Sequence, residues 1–370
     1  PEDFPAMGNV EANGNGGGGI RVRVEGGEPG VMVGMGGISA NGNLGVGGDF
    51  NDGINVQLRS DYGPSDAFVG WVETSDNAGS GVTIKSDTEE DASVMVINAV
   101  ANNNGGPGVK ASVTSSLEEV EIFFGGISAN SNGNRNVAIS GAAGTNRARV
   151  VLMNIQANGS ENLSGVGVDM QSPNGWIEVA AGSNSFAGYI DPEFAALVEN
   201  GGIVANGNSE NGVKFELNAR DGISFIGNDI TASRNGKDGL VVEAQSANGS
   251  VNGYLENVEA NVNAKDGVDV WMSGSGAGVL NTLTASNVTA NDNNAGVKLE
   301  VVAANGSAQG SALDVEADGN SGNGLAMRVV GLGVGGTALA TVTDSSTDGN
   351  GSDGVNVQVQ ASALASFRGE

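Results

Sequence analysis

The chain contains no cysteine and no histidine. The first absence removes disulfides, thiol chemistry and thiolate metal sites, and the second removes the commonest general base and transition-metal ligand. Basic residues are also scarce, 16 against 43 acidic ones, for a formal charge of -27. Such a surface repels nucleic-acid phosphates and anionic membranes, so neither is expected as a partner. No apolar run approaches the about 18 residues that would mark a spanning helix, and no membrane insertion is expected. Aromatics are few, 3 Trp, 3 Tyr and 10 Phe, and proline occurs 7 times. No signal peptide opens the chain at Pro1, as expected of a mature secreted form or an excised segment.

What is present is glycine, 63 residues of it, with abundant Asn and a 39% share of hydrophobic residues that are mostly small or β-branched. This bias runs evenly from end to end, without a linker or charge block. A single domain over 1–370 is therefore expected, with a narrow layered core rather than a thick globular one.

The core shows itself as a repeat. A Gly followed by an aliphatic residue opens a strand at Gly19-Ile20, Gly53-Ile54, Gly81-Val82, Gly108-Val109, Gly165-Val166, Gly212-Val213, Gly239-Leu240, Gly267-Val268, Gly296-Val297, Gly324-Leu325 and Gly354-Val355, with Asn136-Val137 as a twelfth. The period is about 28 residues. Each unit begins with strict alternation, as in Val213-Lys214-Phe215-Glu216-Leu217, which puts every second side chain on an inner face. A second apolar stretch such as Ile223-Ser224-Phe225-Ile226 follows, then a third ending at Ala. Three short strands per unit predict an all-β solenoid of about twelve coils.

Before the anchors recurs an Ala-Asn-x-Asn phrase, for example Ala40-Asn41-Gly42-Asn43 and Ala205-Asn206-Gly207-Asn208. Asn tolerates the left-handed conformation of a sharp turn, and its amide both donates and accepts. Stacked coil on coil at about 4.8 Å, Asn13, Asn41, Asn102, Asn130, Asn158, Asn206, Asn261 and Asn291 should form a structural ladder.

With these anchors and Asn phrases the chain resembles the right-handed parallel β-helix superfamily, which includes pectate lyases, polygalacturonases, phage tailspikes and many secreted repeat proteins. The resemblance covers nearly the whole chain and implies the fold; activity resides in sites grafted on it. Polygalacturonase-like sites would imply paired Asp motifs with a nearby His, and this chain has no His. Pectate lyase-like sites would imply a basic residue beside calcium-binding Asp residues, but Arg23 and Arg328 are the only arginines of the outer column and lie far from its acids.

That column is the third position after each anchor. In it Asp169, Glu216, Glu243 and Glu300 fall around Trp271, with Lys214, Asp269 and Lys298 beside them. Carboxylates on neighbouring coils would stand about 5 Å apart, and two coils apart about 10 Å, within the range glycosidases use. Asp169, Glu216, Glu243, Asp269, Trp271 and Glu300 are therefore the candidate ligand-binding residues, for a sugar on the Trp ring or a cation. A solvent-facing strand must also carry polar residues, and the lysines would then simply balance the acids. The run Ser86-Asp87-Thr88-Glu89-Glu90-Asp91 offers hard oxygen ligands for Ca2+, although its spacing matches no defined calcium loop; no other cofactor is expected.

Two coils are long. About six extra residues around Leu44 to Asp49 enlarge one turn, and about 19 fall before Val213. The second insertion, 181–200, holds Phe186, Tyr189 and Phe194; Asp191, Pro192 and Glu193 form a helix start, so a flap with a short helix is expected. At the ends, Val10 begins a third strand, whereas Leu364 to Phe367 is a second strand with none after it. A neighbouring copy would supply the missing strand, so Asn9, Val10, Glu11, Ala12, Leu364 and Phe367 are expected at a head-to-tail interface. The overall expectation is a non-catalytic extracellular or cell-surface protein that self-associates into a filament, sheath or surface layer. A carbohydrate-binding adhesin is the alternative, and a polysaccharide lyase or hydrolase the third.

Overall fold

The computed structural model describes residues 10–45, 51–183 and 201–369. Every described regular element is a β-strand, and all pairings are parallel. Strands alternate between two sheets, one of twelve strands and one of fourteen, so that each neighbour in a sheet is the equivalent strand of the next coil. The twelve-stranded sheet counts the coils: each of its strands carries one of the twelve anchors, at its first residue in ten of them and just inside the strands Asp266–Gly274 and Ala295–Ala303.

Alternation explains the packing. In the strand Val213–Ala219, Val213, Phe215 and Leu217 are buried, while Lys214, Glu216 and Asn218 face outward. Register then stacks like on like: Phe215 pairs with Val168 below and Val242 above. Across the narrow interior the Phe215 and Phe225 rings meet edge to face at 4.9 Å, a favoured aromatic geometry. The result is one continuous core of Val, Ile, Leu and Ala running through the described coils.

The expected second and third strands of each coil lie in the same sheet and meet at a corner. In the strand Val120–Ser128, Gly126 has φ +65° and drops out of the ladder, and Ile127–Ser128 resume it. Successive coils place Asn98, Asn154, Asp229, Asn257 and Asn287 at this corner, all with positive φ, as suits residues that tolerate the left-handed region. The 19-residue insertion interrupts the chain there. Trp176–Gly182 is the segment before the corner, Ile203–Val204 the segment after it, and both pair with Arg147–Gln156. The predicted helix at 191–199 lies outside the described residues, as does most of the Leu44 to Asp49 turn.

Two side-chain ladders bind the coils. The outer one contains all eight asparagines expected from the sequence; Asn13 is the first rung, and from Asn41 on the backbone N–H of each donates to the coil before it, as from Asn41 to Asn13 Oδ1 at 2.8 Å and from Asn291 to Asn261 Oδ1 at 2.7 Å. Ser75 and Ser233 bridge the places where Asn is missing. The second ladder is buried and runs in the opposite sense: Asn43, Asn77, Asn104, Asn208, Asn235 and Asn263 each donate to the following coil. It explains the anchor glycines. A Cβ on Gly53, Gly108 or Gly212 would stand 2.7–2.8 Å from the amide nitrogen of the next coil's buried Asn.

Candidate functional site

Outward positions of the twelve-stranded sheet form the expected column. Asp169, Glu216, Glu243, Trp271, Glu300 and Arg328 are consecutive register partners. Lys214 stands one outward position away on the Glu216 strand, and Asp269 pairs in register with Lys298. All six candidate residues thus share one face. Trp271 is half-buried between Glu243 and Glu300.

The charges on this face are largely engaged with one another. Lys214 Nζ lies 2.6 Å from Glu216 and 3.9 Å from Glu243. Lys298 Nζ donates to both Asp269 oxygens at 3.0 and 3.1 Å. Contrary to the expectation from sequence, Arg328 does not lie far from the acids of the column: it is the register partner of Glu300 and pairs with it. Lys298 is held above the ordinary lysine value, because burial, which opposes the charge, is outweighed by the hydrogen bond and charge of Asp269 and by Asp266 and Glu300. Asp169 has no ion pair among the described residues.

At the edge of this face Asp266 is pushed up to about 6, chiefly by burial and then by Asp269 and Asp238, with Lys298 and Lys265 pulling the other way. Its backbone N–H donates to Asp238 Oδ1 at 2.9 Å. The acidic run after Lys85 is divided: Ser86 and Thr88 turn inward to Ser65 Oγ and the Gly63 carbonyl, both at 2.7 Å, while Glu89, Glu90 and Asp91 stay exposed. Among the described residues no three acidic groups converge as a metal site.

Of the expected interface residues, Val10 and Glu11 form a third-strand segment paired with Ile38 and Ser39, and Ala12 follows them. Leu364 and Phe367 lie in the last strand, paired with Thr337 and Ala340. Asn9 lies outside the described residues.

A feature that alternation alone does not show lies on the other sheet. Phe123, Val151 and Ala180 occupy outward positions yet are 3–7% exposed, and with Ile97 and Met153 they form a second apolar cluster, against which Phe68 and Met95 pack. Beside it Arg149 bridges Glu121 at 3.0 Å and Glu178 at 3.1 Å, and Arg147 reaches Glu119 at 2.8 Å. Its sequence signal is an apolar residue at the same outward position in successive coils: Phe68, Met95, Phe123, Val151 and Ala180.

These ladders define a parallel β-helix, a solenoid of twelve coils. No family profile matches the sequence, and no curated protein does. Among solved structures the chain is similar to the A-module of a mannuronan C-5 epimerase from Azotobacter vinelandii, at 16% identity and a TM-score of 0.32, over 96% of this chain and 90% of that one. The architecture rests on the strand ladders and not on this loose overlap.

Proposed function

We propose that the chain is a non-catalytic extracellular structural protein, a rigid rod within a filament, sheath or surface layer. The observation that carries this reading is where the polar side chains are used. The two Asn ladders and the Lys214, Lys298 and Arg328 pairs all join residues of the solenoid to each other. Groups used to fasten coils are not free to do chemistry on a substrate. Head-to-tail association through Asn9, Val10, Glu11, Ala12, Leu364 and Phe367 belongs to the same proposal; Phe367, whose register partner Ala340 is buried, is itself 52% exposed, apolar surface that a second copy would cover. Electron microscopy and light scattering of the purified chain should show concentration-dependent end-to-end growth. Rods that stay roughly 60 Å long, as twelve coils at about 4.8 Å require, would count against assembly. Release of unsaturated or reducing-end products from acidic glycans would overturn the non-catalytic reading.

A second reading, glycan binding on the Trp271 face, is favoured by the half-buried indole between two carboxylates and by Asp169, which has no ion pair among the described residues. Polysaccharide pull-down that is unchanged by Trp271→Ala would remove it.

A further inference from the structure

We propose that the N-terminal part of the twelve-stranded sheet carries an oxyanion-binding groove, built on Lys85 and Lys110, that takes the carboxylate or sulfate groups of an anionic glycan.

Two things single these lysines out. In a chain with 43 acidic residues, Lys214, Lys237 and Lys298 all sit against carboxylates, whereas Lys85 and Lys110, like Lys265, are exposed and have no ion pair among the described residues; unlike Lys265, these two stand side by side. They also line one groove of about 550 Å³, together with Asn55, Gln57, Thr83 and Ser112. The turns bounding it contribute Gly79, Gly105 and Gly106, so no side chains from those positions fill it.

Register sets the spacing. Lys85 pairs with Ser112, and Thr83 with Lys110, so the lysines rise from adjacent strands two residues apart. That places their Cα atoms roughly 8 Å apart, close enough for two long side chains to converge on one oxyanion or to serve neighbouring charges on a polymer. The amides and hydroxyls between them suit the hydroxyl groups of a sugar.

The one carboxylate among the described lining residues is already engaged. Asp52 Oδ2 accepts from Asn55 Nδ2 at 2.9 Å, and its Oδ1 accepts from the Ser80 N–H at 2.7 Å. Gln57 Nε2 donates to Asn55 Oδ1 at 3.1 Å, which fixes that amide chain and leaves the Gln57 carbonyl outside it. Asp87, two residues beyond Lys85, forms no ion pair with it. Farther along, Arg135 lies across Gly167, where an added Cβ would stand 2.7 Å from Nε, and that buried Nε has no hydrogen-bond partner. Arg135 forms no ion pair among the described residues either.

The test uses the full chain and three probes in calorimetry or an immobilised-ligand assay: dextran sulfate, uncharged dextran and free sodium sulfate. Dextran sulfate should bind in a salt-dependent manner. The double variant Lys85→Gln/Lys110→Gln should weaken it by about tenfold or more, while Lys265→Gln, a change at an exposed lysine elsewhere, should not. Because both lysines are exposed, the double variant should keep its melting temperature. Binding of sodium sulfate but not of the polymer would overturn the glycan assignment. Failure of every anion, or equal weakening by Lys265→Gln, would overturn the groove. Assembly into rods without dextran sulfate binding would sink this proposal and leave the structural reading standing.

Discussion

Asn136 donates its side-chain amide to Oδ1 of Asn208 at 3.2 Å, across 72 residues of sequence. It stands where the buried ladder would otherwise be broken. Residue 160, the expected rung, is Ser; its N–H reaches Asn208 Oδ1 at 2.8 Å, and its hydroxyl turns to the Asn134 carbonyl. Asn136 fills the gap from an anchor position that is Gly in the other coils. It accepts from Asn132 Nδ2 at 2.8 Å and donates to the Asn158 carbonyl at 2.9 Å. Two departures from the repeat are thus one substitution shared between two sites.

Asn136→Gly should destabilise the solenoid by about 2–3 kcal/mol, since it leaves buried amide groups unpartnered. Ser160→Asn alone should also destabilise, because two amides would compete for one space. The double change restores the arrangement of the other coils and should recover most of the loss. Urea unfolding of the four proteins as a double-mutant cycle checks this; simple additivity would show that the two sites do not share a rung.

Glycine replacements should divide by their surroundings. On Gly267 a Cβ would meet Ala290 Cβ at 2.7 Å, the Ala260 carbonyl at 2.8 Å and Asn293 Nδ2 at 2.8 Å, so Gly267→Ala should cost about 3 kcal/mol or prevent folding. Gly207 has open space around it but φ +65°, so Gly207→Ala should cost only about 1 kcal/mol. Thermal melts of the two variants test the order.

Asp266 predicts a pH dependence of definite sign. Its folded value of about 6 exceeds the ordinary 3.8, so between those values the folded chain holds a proton that the unfolded chain has lost. Stability then falls as pH rises through that window, and the penalty is complete above it. Asp266→Asn should raise the melting temperature at pH 7.5 by on the order of 1–3 °C, discounted for partial solvent screening, and leave it nearly unchanged at pH 4. An equal rise at both pH values would contradict the assignment.

Arg149, whose side chain is 18% exposed between Glu121 and Glu178, should matter more than the surface lysines. Arg149→Met leaves Glu121 and Glu178 with only the longer contacts of Arg147, at 3.4 and 3.5 Å, and should cost about 1–2 kcal/mol, whereas Lys298→Ala should cost under about 1 kcal/mol. Chemical denaturation at low and high salt separates the two: added salt should relieve part of the Arg149→Met deficit.

The sequence by itself determined the coil count, the inward and outward faces, the candidate column around Trp271 and the outer Asn ladder, because a solenoid repeats one local pattern and period-2 alternation settles each face without long-range information. Tertiary structure decided what depends on which coil lies above which. Lys298 and Arg328 meet their acids across coils, and the lack of ion pairs for Lys85 and Lys110 among the described residues appears only once their neighbours have positions. The apolar cluster around Phe123 lies on a face that alternation assigns to solvent. The anchor glycines were legible as a pattern, but their cause, the next coil's amide at 2.7–2.8 Å, was not. For Asn136 the sequence marked an exception, and only the stacking of coils showed that it completes the rung Ser160 leaves open.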